Sequence, residues 1–225
     1  MRKNIIVFAG SVKSRIIVDC LKPSVTFWHN EVSSKQKYIK CLSTIDHENN
    51  DVICVNWPYI TPEYSLNYKN IYTIHESLLP SYSGCAPVNW SIIEGSSLFG
   101  VTLFRQTKVV DGGDILFQDG FYCPREGAAI VFKKMELCYE KCASFIRNNS
   151  LSDCVPLSDF GIRTYYKKRK PVDNIVENEI DPHKLVNLFL STTIDYPLIY
   201  KQNMIMYKIY AIKVFGKLID YYPLG

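Results

Sequence analysis

The sequence predicts an α/β protein whose mostly parallel sheet carries helices on both faces, with a small β-rich and helical extension towards its C-terminal end. Two observations lead there. Apolar runs such as Ile5-Ile6-Val7-Phe8 and Asp51-Val52-Ile53-Cys54-Val55-Asn56-Trp57 are short, β-branched and unbroken by polar alternation, as expected of strands buried on both faces. Segments of helical spacing separate those runs, and strands alternating with helices build a parallel sheet. A chain of 225 residues, 47% hydrophobic and 21% charged, can bury one good core plus an appended unit.

Taken in order, residues 5–8 form the first strand, Ala9-Gly10-Ser11 a tight turn, and residues 14–21 a helix. Residues 25–28 read as a short strand, 35–42 as a modest helix, and 51–57 as a buried strand running into Pro58-Tyr59-Ile60. Residues 70–75 are rich in β-branched and aromatic side chains, a strand that Pro80 and the turn-forming Ser81-Tyr82-Ser83-Gly84 bring to an end. Pro87 suits the first turn of a helix that runs to about Glu94 and stops at Gly95. Residues 101–105 and 115–118 add strands near the sheet edge. Ala128, Val131, Met135, Cys138, Cys142 and Phe145 recur at helical spacing and make the core face of the longest helix.

After Ser150 the character changes. Residues 163–171 mix cations with aromatics, a short helix spans 182–190, and 204–213 is β-rich behind the turn-like Gln202-Asn203. Residues 1–160 are therefore expected to form the main domain and 161–225 an extension. That tail is either a hairpin module pairing two subunits or a solvated edge around the core.

A net charge of +4 is mild and no long Lys/Arg block tracks the chain, so broad nucleic-acid or membrane-surface binding is not implied. The apolar run at residues 5–9 is too brief for a secretion signal or a membrane span, so a cytoplasmic protein is expected. Eight cysteines lie scattered without C-x-x-C spacing, and reduced thiols are expected rather than zinc or disulfides.

The chemistry concentrates in two places. His75 sits where a strand ends and a loop begins, which in an α/β sheet is where ligands bind. Thr73, two residues earlier, points to the same side. Asp111 lies in Asp111-Gly112-Gly113-Asp114, where the glycines allow a loop to bend closely around a ligand. A neutral imidazole becomes a usable general base near neutral pH when a carboxylate holds its other ring nitrogen, and Asp111 is the expected carboxylate.

These residues resemble the folate-dependent formyltransferase family. The resemblance rests on His75 with Ser77-Leu78-Leu79-Pro80, on Gly84-Cys85-Ala86-Pro87-Val88-Asn89-Trp90, on Gly95 and Gly100-Val101-Thr102, and on Asp111-Gly112-Gly113-Asp114-Ile115; it covers roughly residues 4–175. It implies a Rossmann-like catalytic domain, N10-formyltetrahydrofolate as formyl donor, a primary amine as acceptor, and no metal. The wording of residues 75–90 and 164–173 is most similar to the branch acting on nucleotide-linked amino deoxysugars in polysaccharide biosynthesis. Methionyl-tRNA formyltransferases, phosphoribosylglycinamide formyltransferases and a catalytically silent relative that binds folate or a nucleotide sugar are the alternatives.

The resemblance also implies roles. His75, Asp111 and Thr73 form the catalytic set, with Thr73 standing where the family has Asn and offering one hydroxyl donor from a shorter side chain. Asn56, Trp57, Tyr59, Ile60, Ser77, Leu78, Leu79, Val110 and Gly113 fall on the folate side. Phe8, Gly10, Ser11, Pro80, Tyr82, Tyr165 and Lys167 fall on the acceptor side, the last two through a Lys/Arg and Tyr cluster suited to a diphosphate and a base. A homodimer is expected.

Overall fold

The computed structural model describes residues 3–177, 180–192, 197–210, 212, 222 and 223. The expectations that extend to Met1 and Arg2, and to Ala211 and Lys213 of the β-rich tail, lie outside the described residues. The chain divides into two compact units whose segments alternate along the sequence. Residues 1–83, 100–120 and 135–165 make the first, and 84–99, 121–134 and 166–225 the second.

The first unit is built on strands β1 (Asn4–Ala9), β2 (Val25–Trp28), β3 (Asn50–Val55) and β4 (Ile71–His75), with helices α1 (Arg15–Leu21) and α2 (Lys35–Ser43) between them. Along the chain follow the two-residue strand β5 (Ser83–Gly84), helix α3 (Pro87–Ile93) of the second unit, β6 (Leu98–Arg105), β7 (Ile115–Tyr122) and the long helix α4 (Ala128–Asn148), whose first turns also fall in the second unit. The sheet order is β2-β1-β3-β4-β6-β7. β1 pairs in parallel with β2 and β3, and β3 with β4, whereas β6 runs antiparallel to β4. The sheet is thus mostly parallel, as expected.

Consecutive residues of a strand point to opposite faces, so the burial of Ile6, Val7, Phe8 and Ala9, and again of Val52, Ile53, Cys54 and Val55, means that both faces of the sheet centre are covered. On one face Tyr38 and Leu42 of α2 pack against Ile6, Phe8, Val52, Cys54 and Ile71. Ser34 caps α2 by accepting the Lys37 amide hydrogen. The apolar stripe of α4 from Ala128 to Cys142 is buried, as core packing requires.

The second unit holds a four-stranded sheet in the order β12-β11-β10-β9, from β9 (Ile175–Val176), β10 (Leu198–Gln202), β11 (Ile205–Ile209) and β12 (Tyr222–Pro223). Asn203 and Met204 both take positive φ, the requirement of a two-residue hairpin turn between twisted strands. Helix α5 (Pro182–Leu190) opens with Asp181 accepting from the amides of His183 and Lys184, and Pro182 fills the first helical position. Its Leu185 joins Val176, Leu198 and Ile209 in a small core. All eight cysteines are free thiols. No helix among the described residues is long and apolar enough to cross a membrane.

Candidate active site

Strand β4 delivers His75 to the C-terminal edge of the sheet, and the following segment folds back over it. Three side chains hold that return, Thr102 and Ser77 buried and Gln118 half-buried. Thr102 of β6 donates to the Ser77 carbonyl (2.7 Å) and accepts the Leu79 amide hydrogen (3.1 Å). Gln118 of β7 donates to the Leu79 carbonyl (2.6 Å), and Ser77 Oγ donates to the Ser81 carbonyl (2.7 Å). The Leu79–Pro80 bond is cis, and Tyr82 takes φ +58°. The Tyr82 carbonyl lies 2.9 Å from His75 Nε2, which donates to it.

Asp111 arrives from the loop between β6 and β7. The Gly112 amide hydrogen bonds back to the Val109 carbonyl, and Asp111 itself takes φ +49°. Gly112 and Gly113 were expected to let the loop bend closely around a ligand. The structure assigns the positive φ to Asp111, whose short polar side chain tolerates it better than most. The glycines serve close approach instead: a Cβ on Gly113 would sit 1.6 Å from the Arg105 carbonyl oxygen, and one on Gly112 2.6 Å from Val109 Cγ1. The loop places Asp111 Oδ2 3.7 Å from His75 Nδ1, with both side chains largely buried.

The assignment of nitrogens therefore differs from expectation. A backbone carbonyl, not the carboxylate, fixes the tautomer: with the Nε2 hydrogen given to Tyr82, the neutral ring carries its lone pair at Nδ1, on the Asp111 side. A proton accepted at Nδ1 is received beside a carboxylate.

The remaining expected residues divide by burial and partner. Asn56 takes φ +50° and donates to Ser11 Oγ (3.3 Å) and to Glu76 Oε1 (3.4 Å), so the loops after β1, β3 and β4 meet. Gly10 lies against the same turn, where a Cβ would fall 1.6 Å from the Asn56 carbonyl oxygen. Trp57 and Tyr59 pack beside His29, and the Tyr59 hydroxyl reaches its Nε2 at 3.3 Å. The indole N–H of Trp57 is buried with no hydrogen-bond partner. Ile60 (69% exposed), Val109 and Val110 present apolar surface, and Leu78 is half-buried.

Two expected contacts are core residues. Phe8 is fully buried, stacked on Phe27 at 4.9 Å and edge-on to Tyr38, so its ring has no surface for an acceptor. Leu79 is buried against Phe104 and Ile115, and both of its backbone groups are taken by Thr102 and Gln118. Ser77 and Pro80 are buried in the turn that they build. Tyr165, on strand β8 (Tyr165–Tyr166), is exposed beneath the Arg163 guanidinium at 5.5 Å. Lys167 belongs to the second unit, where its ammonium faces Asp173 at 3.8 Å and its carbonyl accepts the Trp90 indole hydrogen.

Other residues at the site were assigned no individual role from the sequence. Arg163 donates to the Val110 carbonyl and to Ser83 Oγ, tying the Asp111 loop to the segment after the Leu-Leu-Pro turn. Glu76 accepts a 2.7 Å bond from Tyr139 of α4, and burial pushes the Tyr139 hydroxyl well above its ordinary pKa. Gln106, just past β6, donates to Thr73 Oγ1 at 2.5 Å. A cavity of about 600 Å³ lies at the opposite edge of the same sheet, lined by Lys3, Asp51, Asn70 and Arg105 among others.

Comparison with known proteins agrees with this fold. Residues 17–124 match the formyl transferase family. The bifunctional polymyxin resistance protein ArnA of Wigglesworthia glossinidia brevipalpis is 30% identical over 168 residues, which is 68% of this chain and 25% of that protein. Among solved structures, a 4-N formyltransferase from Francisella tularensis superposes with a TM-score of 0.70 at 15% identity, over 99% of this chain and 97% of that one. HypX from Aquifex aeolicus in complex with tetrahydrofolic acid gives 0.71 at 14% identity, over 94% of this chain and 38% of that one. The chain thus spans a quarter of the length of this curated relative, ArnA.

Proposed function

Because the chain belongs to the formyl transferase family, we propose that it moves a formyl group from N10-formyltetrahydrofolate to the amino group of a nucleotide-linked amino sugar. The observation that carries this reading is His75 held through Nε2 by the Tyr82 carbonyl with Nδ1 facing Asp111. A nucleophilic amine must lose a proton as its nitrogen joins the formyl carbon, and His75 Nδ1 is the group to take it. Asp111 offsets the imidazolium charge without needing the proton itself. Thr73, on the His75 face of β4, donates to the negative charge that develops on the formyl oxygen. The bond from carbon to the donor nitrogen then breaks, and the proton held at His75 returns to that nitrogen.

The folate supplies the formyl carbon, and the residues present suit it. Ile60, Val109 and Val110 offer apolar surface to a flat ring system. Asn56, Tyr59, Leu78 and the 110–113 backbone would hold it. On the acceptor side, Ser11, Gly10, Tyr82 and Tyr165 would contact the sugar nucleotide. Support for a sugar acceptor comes from the wording of residues 75–90.

The test is incubation with N10-formyltetrahydrofolate and a panel of dTDP-, GDP- and UDP-linked amino sugars, following tetrahydrofolate release and product mass. Formylation of at least one sugar is expected. Reaction of charged initiator tRNA alone removes the sugar acceptor. No reaction, together with a melting temperature raised by folate, identifies a silent binder.

A further inference from the structure

Thr73 is the one departure from the family pattern in the catalytic set, and its weakness as a donor is rotational. A threonine hydroxyl has one proton and two lone pairs, and left alone it turns to whichever neighbour is convenient. At this position it is not left alone. In the β4–β6 register Thr73 faces Phe104 and His75 faces Thr102, so Thr73, His75 and the residue two places beyond Phe104 share one face of the sheet. That residue is Gln106. Its amide nitrogen donates to Thr73 Oγ1 at 2.5 Å, and the buried Cys54 lies directly across from Thr73 on β3.

We propose that Gln106 is a positioning residue that turns Thr73 into a fixed donor: by occupying a lone pair of the hydroxyl, it leaves the Thr73 proton directed away from itself and free for the developing oxyanion. This deepens the formyl-transfer reading and rests on it. A hydroxyl that receives a hydrogen bond is also polarised into a better donor, since hydrogen bonds in series strengthen one another in a low-dielectric site.

The surroundings keep the amide in place. The Cys54 thiol is pushed up to about 12 by burial and stays protonated, and Tyr38 OH lies 3.6 Å from its sulfur and 2.7 Å from Thr61 Oγ1. Thr61, Tyr38 and Cys54 are linked in one polar chain, and Cys54 pairs across the sheet with Thr73, which Gln106 engages. An asparagine at position 73 would need none of this, because a carboxamide has two N–H groups and one acceptor neighbour cannot engage both. Gln106 thus supplies, through a hydroxyl, the fixed donor that Thr73 by itself lacks.

The experiment is a double-variant cycle on the full chain. Gln106→Glu keeps the shape but only accepts, so it draws the Thr73 proton to itself. Expected is a 10- to 100-fold fall in kcat with KM for folate and sugar within about threefold, matching Thr73→Val. In a Thr73→Asn background the same Gln106→Glu change should cost less than about threefold. Equal losses in both backgrounds, or no loss in the native one, overturn the proposal. Gln106→Met, which keeps the volume without a charge, should give an intermediate loss and covers the case in which Gln106→Glu does not fold. The hydrogen bond itself is read without turnover from the side-chain amide resonances of Gln106. These must shift in Thr73→Val, and unshifted resonances overturn the proposal whether or not the chain transfers formyl groups. Absence of formyl transfer by the native chain, with shifted resonances, instead counts against the reading on which the proposal stands.

Discussion

Two of the four histidines, His47 and His75, are each 8% exposed and each has both ring nitrogens directed at acceptors, yet the two sites differ in kind. His47 lies near the N-terminal edge of the sheet. Its Nε2 is 3.2 Å from the Leu42 carbonyl and its Nδ1 3.2 Å from Asn70 Oδ1, and its ring stacks on Tyr68 at 3.9 Å. Both acceptors are neutral and both are at hydrogen-bond distance. His75, at the other edge, meets one neutral carbonyl at 2.9 Å and one carboxylate at 3.7 Å, too far for a hydrogen bond and close enough to feel the charge. A histidine that holds structure meets neutral dipoles and gives its ring hydrogen to one of them. One that handles protons has a nitrogen beside a charge with its bond not yet made.

The sharpest way to break this contrast is to remove the imidazoles in turn. His75→Asn should lower kcat by about 10²–10⁴ and leave the melting temperature within a few degrees of native. His47→Ala should do the reverse: turnover per folded molecule stays near native, while unfolding in urea shows a loss of about 1–3 kcal/mol from the buried groups left without partners. Loss of activity from both variants in proportion to stability would dissolve the distinction. Asp111→Asn tests the charge specifically. It keeps the volume and offers an amide, and a loss of at least tenfold in kcat with a small change in KM is the expected result.

The next effect in size concerns the loop that carries Asp111. Gly113→Ala places a methyl group against the Arg105 carbonyl, a backbone atom that has no room to give. The β6–β7 connection must shift, so both turnover and stability should fall, by tenfold or more and by about 1–3 kcal/mol. The same change at Gly127, where the nearest atom lies 3.8 Å from the added carbon, should be tolerated. Indistinguishable melting temperatures for the two variants would contradict the close packing of the Asp111 loop.

Much of this frame was legible in the sequence, and what was not has a physical reason. The strand Val25–Trp28 and the helix Pro182–Leu190 have the bounds that pattern and Pro/Gly punctuation suggested. The strand read as 51–57 ends at Val55 because Asn56 turns left-handed, a conformation that Asn adopts readily but does not announce. His75 and Asp111 came from motif and spacing, and the structure brings them together. Tyr82 was expected as a side chain at the acceptor. The part of it that meets His75 is a carbonyl, and a backbone acceptor leaves no mark in a sequence. Phe8 was read from the loop it precedes, although the apolar run to which it belongs already argued for the core. Gln106 and Arg163 are polar residues at loop edges whose partners become visible only once strands β4 and β6 are side by side.

The smallest expected effect lies near His47. Lys3 Nζ donates to the His47 carbonyl (3.2 Å) and stands 3.9 Å from Asp51 Oδ1. Burial raises the Asp51 carboxyl above its ordinary value, and the Lys3 charge offsets this only in part. With the folded pKa above the unfolded one, the folded state binds more protons between the two, so stability falls as pH rises through that window and is greatest below the usual carboxylate range. Asp51→Asn removes the ionisation. Its melting temperature should exceed that of the native chain at pH 7, the difference should shrink towards pH 4, and kcat should be unchanged at every pH where the protein is folded. A lower melting temperature for Asp51→Asn at pH 7 would mean that the Lys3 attraction outweighs the burial. Electrostatics would then hold the structural edge of the sheet as well as act at the catalytic one, and the contrast between the two histidines would rest on Asp111 alone.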